Sequence, residues 1–327
     1  MKTADFLMLL TGLSLFLYGM QMMEEGLLTA AGDRMKKLIA VLAGGRARGV
    51  LIGTLVTAVI QSSSAMTVMV VGFVNSGMMT LYQAVWIIMG ANIGTTVTGQ
   101  LIALNLGALA PILAFTGVIL VVFVKRPAAK SAGEMFAGLG VLLIGMEIMG
   151  RAMLPLQNSP LFLKWMTTFR NPFIGVLAGT VFTALIQSSS ASVGILQMLA
   201  SSGMICLGDA VYVVCGQNIG TCVTAMLAAI GTSTDAKRTT VIHVLFNVIG
   251  TVIFIALCVL TPFTDLVRLL SPENPSMQIA NIHTIFNVVT TLALLPFGKR
   301  MADWAVKILP DRSPDNRVET AKRRSRK

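Results

Sequence analysis

Two tracts concentrate hydroxyls and amides in an otherwise apolar chain: Gln61-Ser62-Ser63-Ser64, and again Gln187-Ser188-Ser189-Ser190. Each is followed at the same distance by a second polar island, GANIGTTVT from Gly90 and GQNIGTCVT from Gly216, so one offset of 126 residues joins every pair. Hydroxyls and backbone N–H groups at helix N-termini suit an oxyanion, because the macrodipole places about half a positive charge there. Carbonyl oxygens at helix C-termini suit a small hard cation such as Na+. The glycines would let the backbone turn and approach a ligand closely. Covalent chemistry fits poorly. A membrane-embedded serine hydrolase would need a base, and neither histidine lies in the repeated core, nor does an acid that could orient one.

The elements that hold these residues are themselves duplicated. Residues 53–98 and 179–224 match at 23 of 46 positions, with the identities concentrated on polar and glycine residues. The register extends upstream, where GLSLFLYGMQMM from Gly12 lies over GLGVLLIGMEIM from Gly138. The chain is 55% hydrophobic and 12% charged with a mean hydropathy of +0.79, values of a polytopic helical membrane protein. No Lys, Arg, Asp or Glu occurs from Gly49 to Val124, and only Asp209 from Asn171 to Thr234. The net charge of +11 does not imply nucleic acid, since ten of the 25 basic residues lie from Lys299 onward. A basic end beside apolar spans reads as a cytoplasmic topology signal that touches anionic membrane lipids. The four cysteines lack metal or disulfide spacing and read as small packing residues.

A span needs about 20 apolar residues. Phe6 to Met23 is predicted as a first span and not a cleaved signal peptide, and Glu24 to Arg48 as an interfacial or cytoplasmic connection. Val50 to Ile60 and Ala65 to Val74 are too short to cross, and predict a hairpin that enters and leaves on one face. Leu81 to Leu106 predicts a span broken by Gly90, Asn92, Gly94 and the three nearby threonines Thr95, Thr96 and Thr98, and Pro111 to Val124 a further crossing. The second unit repeats the plan with Ala132 to Met149, a hairpin over Phe173 to Ala200 and a broken span over Cys206 to Ile230. Arg151 to Pro172 reads as a surface connection, and Thr240 to Leu260 and Gln278 to Pro296 as the last two spans.

Seven crossings with the N-terminus outside leave 20 of the 25 basic residues inside, as the positive-inside rule requires. Three crossings per unit turn the second unit upside down. The expected fold is therefore an all-α polytopic membrane protein of two inverted-topology repeats, each with a re-entrant helical hairpin and a broken transmembrane helix. The expected division is residues 1–131, 132–260, a final helix over 261–298, and a basic cytoplasmic tail over 299–327. Broken helices survive in a bilayer only where protein or a wet cavity satisfies them, so four interruptions meeting at mid-membrane predict a binding site. No Lys or Arg lies in the charge-free core, so an anion there would need bound cations beside it. Mutual dependence of anion and cation binding is what ion-coupled symport requires.

QSSS followed by NIGT, in two copies, resembles the type II sodium-dependent phosphate cotransporter family, including its bacterial members. The resemblance covers the chain to about Lys299. It implies a phosphate site at Ser62, Ser63, Ser64, Ser188, Ser189 and Ser190. It implies Na+ sites, and no other metal, at Gln61, Asn92, Thr95, Thr96, Gln187, Asn218 and Thr221. His243 and Asn247 in HVLFN, with His283 and Asn287 in HTIFN, also look like the family, and are expected to support those ligands from behind. No cofactor is implied beyond Na+ as coupling ion, and a homodimer in the cell inner (plasma) membrane, C-terminus cytoplasmic, is compatible with it. Animal members carry an acidic segment after the first NIGT that is missing here, so ion stoichiometry does not carry over. Many bacterial relatives continue into a PhoU-like domain, and this sequence stops at Lys327. A sodium-independent anion channel or exchanger on the same scaffold is the competing expectation.

Overall fold

The computed structural model describes residues 3–42, 45–104, 106–157, 159 and 168–311. Within them the secondary structure is helical, without a strand. The basic residues beyond Asp311, and Lys164 with its neighbours, lie outside the described residues.

Among the described residues six helical segments are long and apolar enough to cross a membrane: Thr3–Ala30, Leu81–Ala103, Pro127–Leu156, Leu207–Ala228, Thr234–Leu260 and Pro275–Ile308. The chain is thus a multi-pass membrane protein. Seven crossings were expected. The remaining one, Pro111 to Val124, is the shorter apolar helix Gly107–Phe123, begun at Pro111 and stopped before Lys125-Arg126-Pro127.

Two further expectations change. Helix α1 (Thr3–Leu42) runs on through residues predicted as a connection, because nothing from Glu24 to Leu42 breaks a helix except isolated glycines. Near the other end, residues predicted as tail form a helix, Gly298–Ile308, whose Met301, Ala302 and Ala305 are fully buried. The Tyr82 hydroxyl donates to Asp303 at 2.8 Å, and Gly298 lies on the Trp86 ring.

Helix α2 (Arg46–Ile60) and helix α3 (Ser63–Asn75) are joined by two residues, Gln61 and Ser62. Helix α4 (Leu81–Gly94) and helix α5 (Thr96–Ala103) follow, then α6 (Ala110–Phe123) and α7 (Pro127–Gln157). The second copy gives α8 (Pro172–Ile186) and α9 (Ser189–Ser201), again separated by two residues, then α10 (Leu207–Gly220) and α11 (Cys222–Ala228). Helices α12 (Thr234–Leu260), α13 (Phe263–Leu270), α14 (Pro275–Leu294) and α15 (Gly298–Ile308) complete the chain.

The duplication is visible contact by contact. A methyl group on Gly90 would strike the Val50 carbonyl, and one on Gly216 the Val176 carbonyl. Gly53 lies on Ile87 as Gly179 lies on Val213. The Thr54 hydroxyl donates to the Gly90 carbonyl and that of Thr180 to the Gly216 carbonyl, both at 3.1 Å. Small residues let α2 approach α4, and α8 approach α10, at backbone contact, which is how membrane helices associate without a hydrophobic driving force. Helices α1 and α7 pack the same way, with Gly12 on Gly145 and Gly19 on Gly138, so the two run antiparallel.

The expected broken spans divide at the island threonines, Thr95 and Thr221, and not at the glycines. Between α4 and α5 only Thr95 intervenes, and it keeps helical dihedrals (φ −63°, ψ −22°) with its N–H on the Ala91 carbonyl. Thr221 does the same between α10 and α11. Gly90, Gly94, Gly216 and Gly220 serve helix packing and open no gap in the backbone.

Candidate functional site

The sharpest interruptions of the helices are the QSSS tracts, where the backbone leaves helical dihedrals. Gln61 (φ 60°) and Gln187 (φ 59°) sit in the left-handed region, the only non-glycine residues among those described to do so. Such a backbone costs about 1 kcal/mol or more for a residue with a Cβ, and is kept where the surroundings over-determine it. Each glutamine ends one helix with its N–H on a threonine carbonyl, Thr57 or Thr183, at 2.7 Å. The next serine then starts another helix. Ser62 and Ser188 adopt extended dihedrals and cap α3 and α9, their hydroxyls accepting from Ala65 and Ala191 N–H at 3.3 and 3.2 Å.

The fold brings the two tracts together. Gln61 to Ser64 and Gln187 to Ser190 line one small cavity of about 50 Å³, together with Glu24 of α1. Room for a few waters or one small polyatomic ion is what that volume allows. Two helix N-termini, α3 and α9, open on it, each with free first-turn N–H groups and hydroxyls. Ser63 and Ser189 are buried; the Ser63 hydroxyl has no partner and that of Ser189 lies 3.4 Å from the Thr95 hydroxyl. The first NIGT island therefore meets the second serine tract. Ser190 is also buried and Ser64 half-buried.

The twin glutamines differ. Gln61 is buried, its amide donating to the Ala58 carbonyl and accepting from the Thr98 hydroxyl at 2.7 Å. Gln187 is exposed.

The island residues sit close behind. Asn92 and Asn218 donate their amide N–H to the carbonyls of Ile88 and Val214, four residues back on their own helices, at 2.8 and 3.0 Å. That orientation turns each Oδ1 outward as an acceptor. Asn218 Oδ1 accepts from Asn287 at 3.3 Å. Thr96 and Thr221 bond back to Ile93 and Gln217 carbonyls at 2.8 and 2.9 Å. Asn247 and Asn287 each cap the carbonyl of the histidine one turn before, His243 and His283, so the two HxxFN segments are used alike. Both histidines are buried, and neither ring nitrogen of either has a partner among the described residues.

Sequence reasoning missed two cavity residues and one clamp. Glu24 was assigned to a connection, yet it lies on the α1 face that buries Phe16, Met20 and Met23; an acid one turn beyond Met20 was the signal. Gln21 joins it in an adjoining cavity of about 260 Å³. Thr98, the partner of Gln61, was visible as the conserved end of both islands within this chain. A larger apolar cavity of about 380 Å³ beside Leu9, Phe169 and Phe182 has only Ser192 and Gln217 as polar lining and offers no comparable chemistry.

Several known proteins are similar to this chain. YqeW of Bacillus subtilis (strain 168), named as an uncharacterized protein, is 35% identical over 284 residues, which cover 86% of this chain and 91% of YqeW. A protein of Escherichia coli (strain K12) with the name "Putative inorganic phosphate export protein YjbB" is 28% identical over 309 residues. Those residues cover 93% of this chain and 55% of that protein, so the chain spans about half its length. Human sodium-dependent phosphate transport protein 2B is 52% identical over 56 residues, 17% of this chain and 8% of that protein. No solved structure matches the chain significantly. Residues 15–151 and 157–271 match the family described as Na+/Pi-cotransporter, a stretch that contains both serine tracts and both islands. With its paired polar tips meeting at one cavity between membrane helices, this chain belongs to the Na+/Pi-cotransporter family, a family of transporters and not of enzymes.

Proposed function

We propose that the chain is a Na+-coupled symporter of inorganic phosphate, working by alternating access around the cavity between the two QSSS tips. The observation that carries this reading is the convergence itself: residues 126 positions apart in sequence, with the same left-handed glutamine and the same serine cap, line one ion-sized space. Hydroxyls and helix N-termini supply hydrogen-bond donors to an oxyanion without a fixed positive charge. The Na+ ions would take the outward amide oxygens of Asn92 and Asn218, the Gln61 and Gln187 carbonyls, and the Thr95, Thr96 and Thr221 hydroxyls. They would supply the charge that the lining lacks, which makes the two solutes depend on each other.

The inverted arrangement of the two units is part of the proposal, with the two-residue turns as tips of re-entrant hairpins. The reciprocal contacts of α1 and α7 support it. Gly12 of one unit touches the counterpart of Gly19 in the other, and Gly19 touches the counterpart of Gly12. A twofold axis between antiparallel helices produces that pattern, and such an axis in the membrane plane inverts one unit relative to the other. The shorter helix Gly107–Phe123 then completes the odd number of crossings, placing the N-terminus outside and the C-terminus in the cytoplasm of the inner (plasma) membrane. Exposed Phe123, Phe173 and Leu185 would face lipid acyl chains.

Uptake of labelled phosphate into proteoliposomes under an inward Na+ gradient tests the reading. Accumulation that needs Na+ is expected; accumulation that persists without it would favour a sodium-independent exchanger. The E. coli relative's name speaks of export. A symporter moves its cargo down the combined gradient, so either direction fits the same site.

A further inference from the structure

We propose that the Glu24 carboxylate selects oxyanions that still carry a proton, phosphate and arsenate, and rejects sulfate. The proposal rests on the reading of the cavity as an oxyanion site and adds the group that sets its specificity.

Glu24 lines the cavity formed by the two serine tracts, and also the adjoining larger cavity with Gln21 and Ser188. It stands where the two spaces meet. Among the described residues no Lys, Arg or His lines either one. Among the described residues the Glu24 carboxylate has no hydrogen bond and no ion pair; the nearest amide on its helix, Gln21, is taken by Glu25 at 2.8 Å. Its counterpart in the second unit is Gly150, so the acid breaks the symmetry of an otherwise paired lining.

An unpaired carboxylate beside an anion site looks like an error until the anion's own protons are counted. Near neutral pH both phosphate and arsenate keep at least one O–H, and sulfate keeps none. Serine hydroxyls can donate or accept and the helix N–H groups donate, so they serve all three ions alike. When ionised, Glu24 is the one lining group that can only accept. Against a protonated oxyanion it accepts a short charge-assisted hydrogen bond. Against sulfate it meets lone pairs and like charge, with no proton to share. A buried group that demands a partner rejects the analogue lacking it far more strongly than shape alone can.

The test is competition on the purified 327-residue chain in Na+ buffer, reading bound radiolabelled phosphate, with direct binding of labelled sulfate alongside. In the unaltered protein arsenate should displace phosphate at similar concentration, while a hundredfold excess of sulfate should leave it bound, the scale of rejection expected for a missing partner being about a hundredfold or more. Glu24→Gln introduces N–H donors at the same volume. Sulfate should then compete at least about tenfold more effectively and bind in its own right. Glu24→Asp should restore exclusion. Unchanged sulfate exclusion in Glu24→Gln overturns the proposal, as does effective competition by sulfate in the unaltered protein. A Glu24→Gln protein that melts normally and binds neither ion also overturns it, by making the carboxylate a requirement for binding. Absence of any phosphate binding by the unaltered protein sinks the underlying site reading, a result distinct from all of these.

Discussion

At the scale of single residues, the site depends on two glutamines in a backbone conformation that glycine prefers and on the serines that follow them. Gln187 makes no side-chain hydrogen bond among the described residues, so Gln187→Gly should relieve strain and leave thermal stability equal or higher. Phosphate uptake should nevertheless fall at least about tenfold, the loss of one good polar contact being worth about 1.4 kcal/mol or more. Uptake at the original rate would remove that side chain from the site. Ser63→Ala and Ser189→Ala should each lower uptake while melting within a few degrees of the parent, since neither hydroxyl caps a helix. Ser62→Ala should behave otherwise, losing about 1 kcal/mol of stability with the cap as well as uptake.

At the scale of elements, glycine placement decides what packs. Gly90→Ala and Gly216→Ala each drive a methyl into a facing carbonyl, and should lower the melting temperature strongly, by an overpacking cost of about 1–3 kcal/mol or more. Gly72→Ala, with open space around it in α3, should be neutral or slightly stabilising. Equal melting temperatures for all three would refute the packing role. The same glycines show how far the sequence could be read. The short arms on either side of each QSSS were legible, because a polar tract between short apolar runs permits little else; the break was read as all four residues and is only two, since the last two serines of each tract already start a helix. The island breaks were read at glycines and threonines together, and fall at Thr95 and Thr221 while the glycines pack helices. In a one-dimensional string a glycine that opens the backbone and a glycine that admits a neighbouring helix look identical, and only the facing carbonyls of Val50 and Val176 distinguish them. Glu24 was hidden for a related reason: charge at the end of an apolar run reads as the water boundary, although helical spacing from Phe16 and Met20 places it inward.

At the scale of the whole molecule, the proposed inversion makes a prediction independent of transport. Gly77 and Gly203 are counterparts in the tight turns that follow α3 and α9, both with positive φ and with nothing packed against them. With exposed Cys206 replaced by serine, a cysteine at position 77 should react with a membrane-impermeant thiol reagent from the cytoplasmic face, and one at 203 from the opposite face. Labelling of both from one face would exclude inverted units. The unequal glutamines carry a further consequence. Two stretches of identical sequence adopt closely similar dihedrals, yet one side chain is shut in against Thr98 and the other stands open. If the halves can exchange these postures, the geometry of the opposite-facing conformer is already written in this one, each half lending its present pose to its twin. A reporter thiol at position 187 should then be reactive when one at position 61 is shielded, and a ligand or gradient that shields the first should unmask the second.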